Sequence, residues 1–451
     1  MTSEERHHLF ETLPVRLAVR RQIIPAVISQ MITLVYQLAD TYFVGLLNAP
    51  EETAAVTVAY SVFLMLTAIS NLFGVGGASA LSRALGRHDD RAAGEIASTA
   101  FWLGLLAALV YVALFGALKH PILKLVGATA ETDSAVAGYT RWVILIGGVP
   151  TVLSVLLANL VRAEGRAKAA SFGLSLGGVL NMVLDPLLIL PRFAGLGAAG
   201  AGLATAISNC AALLFLLGAV LRPGAGTVLS LRLPGRKQVQ AHLKSILAIG
   251  FPSALQYALT VVAVAAQARF VSHYSTAAVA ALGITKKLDQ LPLYFSIGFS
   301  AGLLPLLAYN HAAGNHSRRR AAFRHGLAIS LGFSLLCLAL YEAFAPQLAS
   351  LFIRDAETVT YAAAFLRRMV TAMPLMSICY PMIIQFQAMG RAKESLLCSV
   401  LRKGVLDVPL LFFMDAVCPL YGLMWVQPMV DAISLTVCAA FYIRLLRRGA
   451  A

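Results

Sequence analysis

The chain has 451 residues, of which 59% are hydrophobic and only 13% charged, and its formal net charge is +15. A soluble domain carries about 25% charged residues, so the composition excludes one and describes a polytopic helical membrane protein. The basic excess is spread over loops rather than gathered into a patch, so no nucleic-acid partner is expected.

A membrane span needs roughly 20 apolar residues. About twelve such runs begin near residues 23, 54, 93, 136, 168, 196, 243, 276, 325, 359, 396 and 421. They far exceed the roughly 10-residue alternating segments of a membrane β-barrel. Residues 1–22 read as a short cytoplasmic helix with bends at Pro14 and Pro25, and they lack the apolar core of a signal peptide. Span one ends at Gly45, and Asn48 to Glu52 form a compact outside loop. The end of span two, GVGGASALSRALGRHDD (residues 74–90), carries small residues that allow close helix packing. The polar stretch 222–244 is the longest inside connection and divides the chain into halves 1–225 and 226–451.

Counted from a cytoplasmic N-terminus, the inside loops hold Arg83, Arg87 and Arg91; Arg162, Arg166 and Lys168; Arg232, Arg236 and Lys237; Arg318, Arg319 and Arg320; and Arg391, Lys393, Arg402 and Lys403. The termini add Arg6, Arg16, Arg20, Arg21, Arg444, Arg447 and Arg448. The positive-inside rule then sets both termini in the cytoplasm. The six cysteines fall in or beside apolar runs without metal-ligand spacing and read as small core residues.

Within span one, RQIIPAVISQMITLVYQLADTYFVG, Asp40 is the only acidic residue. A carboxylate at membrane depth costs about 2.5–3.5 kcal/mol on insertion scales, so it is rare there and marks function. Tyr36 and Gln37 share its helix face. Span five holds a second carboxylate, Asp185, with Asn181 one turn earlier and Pro186 next to it. Two such carboxyls close together interact, and either a proton or a hard monovalent cation among their oxygens would neutralise them. The residues leave both ions open. Asp289 with Lys286 and Lys287 in span eight, and Lys403 with Asp407 in span eleven, read as internally paired charges. Asp431 in span twelve and the stretch Gln256-Tyr257 in span seven are candidates for lining a cavity.

The halves repeat one another. Pro25 is matched by Pro252, Gly165-Arg-Ala-Lys168 by Gly390-Arg-Ala-Lys393, and LDP at 184–186 by LDVP at 406–409. Two six-span copies inserted the same way round are related by an axis along the membrane normal and enclose a central cavity. The expected fold is therefore all-α, with twelve transmembrane helices in two pseudo-symmetric six-helix bundles around that cavity.

VYQLADTYFVG, GVGGASALSRALG, NLVRAEG and NMVLDP, followed by GLGAAGAGLAT, resemble the multidrug and toxic compound extrusion (MATE) transporters. LGITKKLDQLP, RKGVLDVPLLF and YGLMWVQP extend the likeness over nearly the whole chain, most closely to DinF-like and MepA-like bacterial branches. The resemblance implies a cation site at Asp40, Asn181, Asp185 and Thr205. It implies export of small organic cations or other toxic compounds in exchange for H+ or Na+, and the residues expected to line the substrate cavity are Tyr36, Gln37, Gln256, Tyr257, Asp289 and Asp431. It also implies a monomer among the lipids of a bacterial cytoplasmic membrane, with no cofactor beyond the coupling ion. The span-seven acidic residue of the NorM-like branch is missing, since Gln256-Tyr257 is neutral. A lipid-linked oligosaccharide flippase of the same superfamily is the alternative; it would use a cationic cavity, with Lys286, Lys287, Arg269 and Arg141 as candidates. An intramembrane prenyltransferase would need paired aspartate-rich magnesium motifs, which the chain lacks, so no enzyme is expected.

Overall fold

The computed structural model describes residues 2–447 apart from 48, 126–131, 223 and 225. Asn48 of the expected outside loop, Pro223 and Ala225 at the expected boundary between halves, and Arg448 lie outside the described residues. In lipid, a helix satisfies every backbone N–H and C=O within one segment, and no strand occurs among the described residues.

In chain order the helices are α1 (Val15–Gly45), α2 (Pro50–Gly86), α3 (Asp90–Ala117), α4 (Asp133–Ile146 with Gly148–Ala163), α5 (Ala167–Ile189) and α6 (Gly197–Leu221). They continue as α7 (Arg236–Val271), α8 (Thr276–Ala312), α9 (His316–Ser350), α10 (Ala356–Met369 with Ala372–Ala388), α11 (Ala392–Val400, Leu401–Val405 and Asp407–Val417) and α12 (Val426–Arg447). Among the described residues nine single helices are long and apolar enough to cross a membrane, and the bent pairs α4 (49°) and α10 (43°) make eleven. The twelfth, α11, is interrupted. Lys403 is extended and Gly404 takes φ 107°, a conformation that suits glycine, with Leu259 Cβ 2.6 Å from where a side chain would begin. The protein is an all-α polytopic membrane protein.

One end of the bundle collects most of the basic loops. There α2 turns into α3 over Arg87–Asp89, with Asp89 accepting the Ala92 N–H at 2.8 Å. At the same end α8 turns into α9 through Gly314 and Asn315, and Asn315 accepts the Arg318 N–H at 3.3 Å. The expected cytoplasmic helix over residues 1–22 is shorter than the sequence suggested. It spans Ser3–His7, continues as one wide turn, His8–Thr12, and stops at Pro14, which caps α1. Residues 15–22 belong to α1, because proline at the N-terminus of a helix costs no hydrogen bond.

This N-terminal segment straps the basic end. Arg6 is 4% exposed and pairs with Asp90 at 2.8 Å and with Glu164 at 3.9 Å. Phe10, fully buried, stacks on Tyr309 with ring centroids 4.7 Å apart. Tyr309 donates to Glu11 at 2.6 Å, and Arg318 donates to the carbonyls of Phe10 and Leu13, both at 2.6 Å. Glu164 is a hub: besides Arg6 it accepts from Thr227 Oγ1 and the Val228 N–H, each at 2.7 Å. The connection after α6 is thereby pinned to the α4–α5 turn.

Toward the basic end, helices of the two halves touch backbone to backbone. A Cβ on Gly250 of α7 would meet the Leu72 carbonyl of α2, and one on Gly302 of α8 would stand 2.7 Å from Gln22 O of α1. At the other end of the same helices, Gly45 and Gly283 have nothing within 4 Å of that position. Arg83 of α2 adds a polar tie, donating to Gln387 O of α10 at 3.2 Å and to Ser245 of α7 at 3.3 Å. These contacts between the halves close the bundle at its basic end.

Candidate functional site

Three helices, α1, α5 and α6, pack against one another away from the basic end. Two adjacent glycines of α5 allow it. A Cβ on Gly178 would press on Ile32 Cγ2 (2.8 Å) and the Tyr36 ring (3.1 Å) of α1; one on Gly177 would press on Ser208 O (3.0 Å) of α6. Below them on α5, Asn181 is 2% exposed and Asp185 fully buried, and Thr205 of α6 is 8% exposed. The Asn181 amide is satisfied at both ends when its nitrogen faces Asp185 Oδ2 and its oxygen faces the Thr205 N–H, each at 3.2 Å. Thr205 Oγ1 donates to Ala201 O at 3.0 Å, which leaves its lone pairs free.

Asp40 approaches from α1. It is half-buried, its Oδ1 is shielded without a partner, and it lies within electrostatic reach of Asp185. Among the described residues neither carboxylate joins an ion pair. Tyr139 of α4 is buried within reach of both. The site is therefore a set of carboxylate, amide and hydroxyl oxygens with no basic side chain paired to it among the described residues. Such a donor set suits a hard monovalent ion or a proton.

The other predicted residues fall into two groups. Tyr36 and Gln37 lie beside Asp40 on α1, and Gln37 Oε1 accepts from Tyr294 of α8 at 2.5 Å. Gln256 and Tyr257, half-buried on α7, sit on the helix that pairs with α2. Asp289 and Asp431 are not brought to this cluster. Asp289 is half-buried on α8, within reach of Lys286 and Asp431. Asp431 does not line an open cavity: it is fully buried and pairs with Arg402 at 3.0 Å.

Two readings of basic residues are corrected here. Arg402 is 1% exposed inside the bundle rather than in a loop, because α11 begins at Ala392 and carries it inward. Lys403 and Asp407 do not pair across a helical turn, since the chain is not helical between them. Lys403 donates to Gln427 at 2.5 Å, and Asp407 accepts the Gly404 N–H at 2.6 Å. The signal for Arg402 was present in the repeat, where LRKGVLDVP parallels the apolar stretch before LDP, but a loop count of charges hides it.

A bundle of membrane-spanning helices that holds two carboxylates, Asp40 and Asp185, without a basic partner has the make-up of a membrane transporter. The MatE family model matches residues 25–187 and again 252–413, once in each half of the sequence. The chain belongs to the MatE family. It is 28% identical over 446 residues to the multidrug export protein MepA of Staphylococcus aureus (strain MSSA476), covering 99% of this chain and 97% of the relative. MepA of Staphylococcus saprophyticus is 27% identical over 436 residues, covering 97% and 94%. The fold matches the outward-facing conformation of a multidrug resistance MATE family transporter of the MOP superfamily, with TM-score 0.91, 24% identity and all of both chains covered. It also matches a MOP superfamily transporter from Pyrococcus furiosus, described as having reverse polarity of its binding pocket, with TM-score 0.88, 24% identity and 99% and 98% coverage.

Proposed function

We propose that this chain is a secondary active multidrug exporter that releases organic cations or other toxic small molecules in exchange for H+ or Na+. The observation that carries the reading is the cluster Asp40, Asn181, Asp185 and Thr205: two carboxylates at span depth with amide and hydroxyl oxygens and no basic partner. A proton or sodium ion entering it removes negative charge and weakens the hold on a cationic substrate. The substrate would lie between Tyr36, Gln37, Gln256 and Tyr257, where aromatic faces and neutral amides suit varied organic cations. A monovalent cation leaving for one ion entering moves no net charge, so the ion's concentration gradient drives that exchange; a neutral substrate would also draw about 2.3 kcal/mol per 100 mV from the membrane potential.

In this reading residues 1–225 and 226–451 are two lobes that rock about the central site. The basic end faces the cytoplasm of a bacterial cell, with both termini there, and the molecule acts as a monomer in the inner membrane, in contact with its lipids. The closed basic end then makes this an outward-open state. The flippase alternative draws less support, since Lys286 and Lys403, which lie within reach of one another, also lie near Asp289 and Asp407 rather than forming an uncompensated cationic cluster.

Drug susceptibility of a bacterium lacking its own exporters tests the reading. Asp40→Asn and Asp185→Asn are each expected to remove the protection given by the wild-type chain while membrane levels stay equal. Full protection by both variants would remove the basis for this site.

A further inference from the structure

The two halves treat their buried carboxylates differently. The family matches begin at 25 and 252, which sets Asp40 at Gln267, and the match of LDP with LDVP sets Asp185 at Asp407. Aligning Gly195-Leu196 with Gly422-Leu423 sets Thr205 within one residue of Asp431. The second half therefore has its own carboxylates, Asp407 and Asp431, at the places where the first half holds the Asp185 carboxylate and the Thr205 hydroxyl of its cluster.

What surrounds them differs. Arg402 Nε is 3.0 Å from Asp431 Oδ1, with both side chains 1% exposed. Gln427 donates to Asp431 Oδ2 at 2.9 Å and accepts from Lys403 at 2.5 Å. The Arg402 guanidinium also lies 4.0 Å from the centre of the Tyr380 ring. Gln267 donates to Leu423 O at 3.0 Å and brings no charge. A buried carboxylate met by a guanidinium and an amide has its charge compensated within the protein, and the Tyr380 ring face holds the guanidinium in turn. The first-half pair has no such partner.

We propose that Arg402 is a tethered cation filling the second-half counterpart of the first-half cation site. Each molecule then carries one exchangeable cation, and Asp431 takes up a monovalent cation, sodium or proton, once the guanidinium is removed. The break in α11 at Lys403 and Gly404 is what lets consecutive basic residues reach the two ends of the Gln427–Asp431 chain. The proposal rests on the reading that the Asp40 cluster binds the coupling ion.

Sodium-22 binding and proton uptake by purified protein in lipid nanodiscs separate the two ideas. The comparison takes wild type, Arg402→Gln, Asp431→Asn and the double variant Arg402→Gln/Asp431→Asn. Arg402→Gln is expected to gain one cation per molecule over wild type, and the double variant to lose it again. No difference between the single and double variants in either readout overturns the proposal. Asp431→Asn alone is expected to bind as many cations as wild type, and a fall by one overturns the proposal even where Arg402→Gln does not fold. Wild type that binds no cation, with a gain of one in Arg402→Gln, overturns the Asp40 reading and leaves the tethered cation standing.

Discussion

Glu164 shows how much one side chain holds together at the basic end. Its carboxylate is fully buried and serves Arg6, Arg166, Thr227 and the Val228 N–H, which belong to the N-terminal segment, the α4–α5 turn and the connection after α6. Removing one partner of a buried charge network leaves the others uncompensated and costs about 3–5 kcal/mol. Glu164→Ala is therefore expected to lower the unfolding temperature in detergent well beyond Glu164→Gln, which keeps an acceptor for the Val228 N–H. Asp355 works at a smaller scale. It caps α10 by accepting the Thr358 N–H at 2.8 Å and the Thr358 hydroxyl at 2.6 Å, and those bonds hold its carboxyl below the usual aspartate range. A depressed folded value means the cap stabilises above the unfolded value and is lost as pH falls through the folded one. The protection of the amides in the first turn of α10, taken as the exchange rate relative to that of the unstructured chain at the same pH, should fall on acidification, and Asp355→Ala should show the low protection at every pH.

Helix pairs decide which parts of the molecule are fixed and which are set apart. Gly178 lets Tyr36 and Ile32 of α1 lie on α5, and Gly177 does the same for α6. Gly178→Val is expected to push α1 off α5, separate Asp40 from Asn181 and Asp185, and reduce export at least tenfold at normal membrane levels. Gly250 meets α2 backbone, which cannot yield as a side chain would. Gly250→Ala should therefore open the basic end, read as faster labelling of a cysteine placed at Ser245. At this scale the sequence was informative. Each of the twelve expected starts falls within about ten residues of a helix start, because lipid forces apolar runs into helices. The bends in α4 and α10 fall just before Pro150 and Pro374 and were not read from them, while the break in α11 at Gly404, against Leu259, has no such signal at its place. The meeting of Asn181, Asp185 and Thr205 was expected from family likeness. The pairing of Asp431 with Arg402 was missed, because a linear count of basic residues cannot tell a loop arginine from one carried into the bundle.

For the whole molecule, the closed basic end is held by glycine contacts, by Arg83 and by the N-terminal strap. Phe10 on Tyr309 and Arg318 on the Phe10 and Leu13 carbonyls tie the strap to α8 and α9, while Arg6 ties it to Asp90 and Glu164. Its contacts thus reach from the first half of the chain to the second. Opening that end must break some of these contacts, so removing residues 2–13 should shift the molecule toward the state open at the basic end. Thiol labelling of a cysteine at Ser79, which is shielded against Gln387 O, would report the shift as faster modification.

The central claim is that the cluster on α1, α5 and α6 couples an inward cation to outward transport. The most direct measurement uses purified protein in liposomes loaded with a fluorescent organic cation, with a sodium gradient and a pH gradient imposed separately. The account predicts that one of the two gradients drives efflux in the wild type, and that Asp40→Asn abolishes it. Efflux that persists undiminished in Asp40→Asn, or that needs neither gradient, would contradict it.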